Sequence, residues 1–144
     1  MATLGELSKE EIELLLHTEV IGRIGVHAKG RTYIFPVTFA YDGERAIVHS
    51  AEGSKVSILR QCPEVCFEVE SVTTLSNWKS VMAWGIYEEL HDAEAMSALN
   101  LLVERIRPFL SSEALAAHGS QKQPARAVLY AIRFQEKTGR FEKR

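Results

Sequence analysis

Residues 49–55 read HSAEGSK, directly behind the apolar run RAIV and ahead of VSIL. Two hydroxyls (Ser50 and Ser54), Gly53 and Lys55 therefore stand where a strand gives way to a helix. The first N–H groups of a helix have no partner inside it and carry a partial positive charge, so such a turn can seat an anion. Gly53 lets a ligand approach the backbone closely, the serines add hydroxyl donors, and Lys55 adds a full charge. Small polar residues in this place also serve as an ordinary helix cap. The turn is not a P-loop, because G-x-x-x-x-G-K-[ST] is absent.

Other reactive side chains form no recognisable constellation. The histidines (His17, His27, His49, His91, His118) are scattered, and no H-E-x-x-H spacing occurs. Cys62 and Cys66 are too few for a four-cysteine zinc site and are expected as free, packed thiols. No metal site is expected. No nucleophile has a paired base, so hydrolysis has no support. His49 is either a hydrogen-bonded strand residue or a catalyst. Trp78 and Trp84 fit core packing, a seam between subunits or a stack on a planar ligand. Glu68 and Glu70 share one strand face, read as solvated. Arg23 points away from the apolar face of its strand, towards solvent or a phosphate.

The elements that must position these residues follow from periodicity. SKEEIELL opens with Ser8 and Glu11 in capping-box spacing, then Ile12, Leu15 and Leu16 form a helical stripe. EVIGRIGVHAKG reads as a strand closed by a glycine turn. In RTYIFPVTFAYDG, Tyr33, Phe35, Val37, Phe39 and Tyr41 share a face at period two. Pro36 lacks the N–H of a central ladder, so this strand should be interrupted or unpaired on one side there. YDGE is a hairpin and RAIVHSA its return. EGSKVSILRQCP is a short helix stopped by proline, EVCFEVES a half-exposed strand and KSVMAWGIYEELHD the longest strand. Asp92 is placed to cap AEAMSALNLLVERIR, whose stripe is Met96, Leu99, Val103 and Ile106. PFLSSEALAAHGSQKQP is an irregular connector with at most one helical turn, RAVLYAIRF the last strand and QEKTGRFEKR a tail. Tight turns between consecutive strands argue for antiparallel pairing. Six strands with peripheral helices suggest a small closed barrel spanning 1–144 as one domain.

Composition narrows the function classes. Basic residues number 17 against 19 acidic, so there is no basic excess of the kind that binds nucleic acid. No apolar run approaches the roughly 20 residues of a membrane span, and the N-terminus is polar. A cytoplasmic location is the expectation.

The stretch YDGERAIVHSAEGSKVSILRQCPEVCFEVE resembles the signature region of the pyridoxamine 5'-phosphate oxidase-like, FMN-binding split barrels. It is most similar to the small-flavoprotein branch that includes the nitroimidazole reductases. The pattern there is P-V-x-F, an aspartate-glycine hairpin, H-S-A-x-x-G-K-K, a short helix and N-P-x-V. Here PVTF and CPEV stand in the first and last places, and EVIGRIGV and EKTGR fit as well.

The resemblance implies a mainly β, six-stranded antiparallel split barrel that binds FMN at the interface of a homodimer. It implies a flavin-dependent oxidoreductase taking a small-molecule redox substrate, with a nicotinamide as a candidate donor. Related barrels that bind haem or a deazaflavin, and flavin-binding modules without turnover, are the alternatives. Ser50 falls on a flavin-contacting hydroxyl, and Ser54 and Lys55 on the phosphate site. Pro36, Val37 and Thr38 fall on the strand whose backbone lines the ring, and Ser80 on a flavin-contacting glutamine. His49 falls near the ring. Ile34 replaces an arginine for the FMN phosphate, and Phe39 a lysine for the substrate phosphate. Val56 replaces a second lysine, and the C-terminal R-x-H is missing. Pyridoxamine phosphate is therefore not the expected substrate.

Overall fold

The structure, a computed structural model, describes residues 3–111 and 127–144. Its strands are β1 (Thr3–Glu6), β2 (Ile21–Ala28), β3 (Arg31–Tyr41), β4 (Arg45–Ala51), β5 (Glu64–Thr74), β6 (Asn77–Glu89) and β7 (Ala127–Lys143). Three helices, α1 (Lys9–Thr18), α2 (Ser54–Gln61) and α3 (Asp92–Ile106), interrupt them, and a 3-10 turn follows at Arg107–Phe109. The strands form one antiparallel sheet in the order β1-β7-β4-β3-β2-β5-β6, and β6 pairs back onto β7. That last pairing closes the sheet into a ring, which protects its edges.

The barrel matches the expected fold class with seven strands instead of six. The extra strand is β1, which pairs with Arg140–Lys143 of β7. The segment expected as a C-terminal tail is thus the second half of the 17-residue β7. A polar stretch reads as tail when its pairing partners lie far off in sequence. Here β1 and β6 supply them, and the Leu7 N–H donates to the Gly139 carbonyl at 2.9 Å.

Local signals place the turns. Ser8 and Glu11 form the reciprocal capping box of α1. Lys29 and Gly30 both take positive φ, 52° and 74°, the left-handed pair that a right-twisted two-residue hairpin needs. Asp42 Oδ1 accepts from the N–H groups of Glu44 (2.9 Å) and Arg45 (2.6 Å), holding the next hairpin. Pro36 does not interrupt β3. It faces Arg23 of β2, while the β4 ladder on the other side comprises only Phe39–Tyr41. The strand is therefore unpaired on one side at the proline, as its missing N–H requires.

Alternation sends Ile24, Val26, Phe39, Tyr41, Val48, Phe67, Val69, Val81, Tyr130 and Ile132 inward, where all are buried. A second, smaller core lies outside the sheet. There α3 covers Ala40, Ile47 and Ala131 with Ala98, Leu102 and Ile106. The expected stripe of α3 is corrected in part: Ile106 is buried as expected, Met96 is exposed, and Ala98 and Leu102 are buried where Leu99 and Val103, which are half-buried, were expected. Alanines facing alanines let this helix lie close to the sheet, and closeness selected the face over bulk. His91, not Asp92, is the N-cap. Most of the connector after α3, with His118, lies outside the described residues. Among the described residues no helix is long and apolar enough to cross a membrane.

Candidate functional site

The turn after β4 builds α2 as its sequence implies. Gly53 is the N-cap, and its carbonyl takes the first helical bond, from Ser57 at 3.0 Å. No side chain caps the helix among the described residues. The serines of the turn therefore do not cap the helix, and Gly53 does so through its backbone alone. The Ser50 hydroxyl donates to the Ala51 carbonyl at 3.1 Å. Ser54 and Lys55 are exposed, and Lys55 Nζ sits 5.1 Å above the Phe35 ring at the barrel rim. Uncapped N–H groups and a cation converge on solvent here, an arrangement suited to an anion.

Beside this rim, residues 31–38 of β3 pair with β2 but not with β4 in the ladders described. Pro36 and Thr38 point outward and are exposed, whereas the Val37 side chain packs on the core. His49 is half-buried and lies opposite Leu129 of β7.

The outer face of β2, β3, β5 and β6 carries a groove of about 820 Å³. One cross-strand row runs Ile34, Gly25, Cys66, Trp84. The two small residues in the middle sink the floor between the large ones at either end. Ile34 is 71% exposed and Trp84 38%, high values for such side chains. Ile21 and Met82 are exposed on the same face, with Arg23 and Glu68 between Ile21 and the groove floor. Burial pushes the Cys66 thiol up, which makes it a poor thiolate nucleophile. Both cysteines are free thiols.

A polar cluster borders the groove. Arg23 Nη1 donates to Glu68 Oε1 at 3.2 Å and to Glu70 Oε1 at 3.3 Å. The Ser80 hydroxyl donates to Glu68 Oε2 at 3.1 Å. Burial, then repulsion from Glu70, holds the Glu68 carboxyl above the usual range. Glu70 is exposed, as expected of a solvated face, whereas Glu68 is half-buried between Arg23 and Ser80. Sequence alternation puts Arg23 and Glu68 outward, but only the register places them side by side.

The expected site residues separate into two groups. Ser50, Ser54 and Lys55 lie at the rim, where β4 ends. Ser80 and Trp78 lie towards the other end of β6, and the Trp78 indole donates to Glu142 Oε1 at 3.2 Å. At about 3.3 Å per residue, Trp78 is some 20 Å along the strand from Trp84. Among the described residues no three histidine, cysteine or carboxylate side chains gather as a metal site.

Comparison with known proteins agrees with this architecture. The family model described as pyridoxamine 5'-phosphate oxidase matches residues 8–141. A FAD-binding protein of Mesorhizobium loti superposes with a TM-score of 0.75 at 25% identity, over 100% of both chains. The FAD-binding protein of Mycobacterium smegmatis gives 0.66 at 23% identity, over 95% of this chain and 98% of that one. An uncharacterized protein of Rhizobium meliloti is 30% identical over 84 residues, 58% of this chain. That match spans only 56% of the relative's own length.

Proposed function

The chain belongs to the pyridoxamine 5'-phosphate oxidase family, and from that premise we propose that it is a flavin-dependent oxidoreductase working as a homodimer. The observation that carries this reading is the uncapped, lysine-bearing start of α2 beside the open edge of β3. The α2 N–H groups, Ser54 and Lys55 hold a flavin 5'-phosphate, a group common to FMN and FAD. The unpaired backbone around Pro36, Val37 and Thr38 hydrogen-bonds the polar edge of the ring. When bound, the flavin supplies hydride or electron transfer, and the protein supplies binding, orientation and electrostatics. The M. loti relative, described as FAD-binding, supports a flavin ligand. Phe39 is fully buried in the barrel and offers no charge to a substrate phosphate. The substrate is therefore a small redox-active molecule other than pyridoxamine phosphate.

The homodimer rests on the outer face. Ile21, Ile34, Met82 and Trp84 are large apolar side chains on it that no described residue covers. A second copy would cover it and bring its Trp78 and Ser80 towards the rim of the first. Light scattering at micromolar concentration should give twice the monomer mass, and a monomer would overturn this part of the reading.

The visible spectrum of the purified protein tests the cofactor. Flavin bands in the blue are expected, whereas a Soret band would assign haem and sink the proposal. Bleaching of the flavin bands by a nicotinamide donor under anaerobic conditions is the expected sign of turnover. A loaded protein that no donor reduces would be a binding module and not an enzyme.

A further inference from the structure

The residue that leads into the α2 turn is acidic. Glu52 stands directly before Gly53, and no side chain caps the helix start that follows among the described residues. The unpaired N–H groups there, and their partial positive charge, favour any carboxylate within reach. Glu52 is therefore a competitor for the place the turn offers an anion, and its charge repels one. The structure holds it elsewhere. Helical Cα–Cβ bonds tilt towards the N-terminus, so the long Arg60 side chain in the last turn of α2 runs back along the helix. Its Nη1 donates to Glu52 Oε1 and its Nη2 to Glu52 Oε2, the latter at 3.1 Å. Two parallel bonds fix the carboxylate in direction as well as in place. Arg60 is itself anchored. Its Nε donates to Glu89 Oε1 at the end of β6, and that oxygen also accepts from the Tyr87 hydroxyl at 2.8 Å. The Arg60 guanidinium keeps the Glu89 carboxyl below its usual range, against the burial that raises it, so the anchor is charged at neutral pH.

The Arg60 and Glu52 side chains are 41% and 34% exposed, and ion pairs so open to water add little to the stability of a fold. Their position beside the helix start gives the pair another consequence. We infer that Arg60 is a positioning residue for the anion: it draws Glu52 off the start of α2 and cancels its charge, and without it the turn would close on its own carboxylate. The inference rests on the reading that this turn holds the flavin phosphate. With Glu52 and Arg60 cancelling, the charge that the turn presents is that of Lys55 in the first turn of α2.

Titration of the flavin-free protein with FMN and riboflavin tests it, in the wild type, Arg60→Ala, Glu52→Gln and the double variant. Arg60→Ala should weaken FMN about tenfold, with riboflavin nearly unchanged, because a carboxylate is released beside the phosphate. The double variant, which has no carboxylate to release, should bind FMN within about threefold of the wild type. The loss in Arg60→Ala should shrink at about 1 M salt, where charges are screened beyond about 3 Å. Arg60→Lys keeps the charge and should retain most of the affinity. Arg60→Gln, a milder loss of charge, repeats the comparison if Arg60→Ala does not fold. A loss of FMN that Glu52→Gln does not restore would mean that Arg60 meets the phosphate or supports the fold directly, and would overturn the inference. So would an equal loss of FMN and riboflavin, or no loss at all. FMN binding no better than riboflavin in the wild type would instead remove the turn reading, and the inference with it.

Discussion

Replacing Lys55 with alanine should weaken FMN or FAD binding about ten- to a hundredfold while riboflavin binding stays nearly unchanged. Lys55 is the cation in the first turn of α2, and Glu52 before it is held by Arg60. A hydrogen bond to a charged group contributes roughly 1.5–3 kcal/mol, which is the stated range of affinity. Riboflavin lacks the phosphate, so it reports only on the ring. The fold should barely change, because Lys55 is exposed and its contact with Phe35 is a single cation–π pair at the rim. Lys55→Arg keeps the charge and should restore most of the affinity. Fluorescence titration of the three flavins decides the matter. An equal loss for riboflavin would mean that the lysine supports the ring or the rim, and the phosphate would have to sit elsewhere.

The largest effect on stability is expected at Phe67. Its ring is fully buried and meets Phe39 edge-on at 4.9 Å and Phe134 at 5.3 Å. Phe67→Ala should cost about 3–5 kcal/mol through lost burial and the cavity left behind. The ring also lies against Gly22, where an added Cβ would fall well inside contact distance of it. Gly22→Ala alone should therefore destabilise through overpacking, by about 1–3 kcal/mol. In the Phe67→Ala background the obstructing ring is gone, and the same glycine change should cost much less. Melting curves of the four proteins check the coupling. Additive losses would show that Gly22 is required for its backbone and not for the space it leaves.

The bulk of the barrel was legible in the chain. Period-two alternation in β3 and β5, the Ser8–Glu11 box, the Asp42 hairpin and the proline in β3 are local signals, and each specifies a local conformation. The turn after β4 was legible for the same reason, since a glycine, two serines and a lysine before an apolar helix act within a few residues. The α3 stripe was not, because Met96, Leu99 and Val103 keep a helical period as good as that of the face actually buried. Which face goes down depended on the alanine-lined surface of β3, β4 and β7 waiting below.

What the sequence by itself determined, then, is the set of strands and turns, the mainly antiparallel pairing and a helix start that carries a glycine, a serine and a lysine. Short-range dihedral preferences and side-chain period decide those. Tertiary structure alone decided that residues 135–143 are a strand, because β1 and β6 arrive from distant parts of the chain to pair with them. It alone set Gly25 and Cys66 between Ile34 and Trp84 to hollow the groove, and closed Arg23 on Glu68. Each of these depends on the register between strands, and a register shift of one residue would send every side chain to the other face.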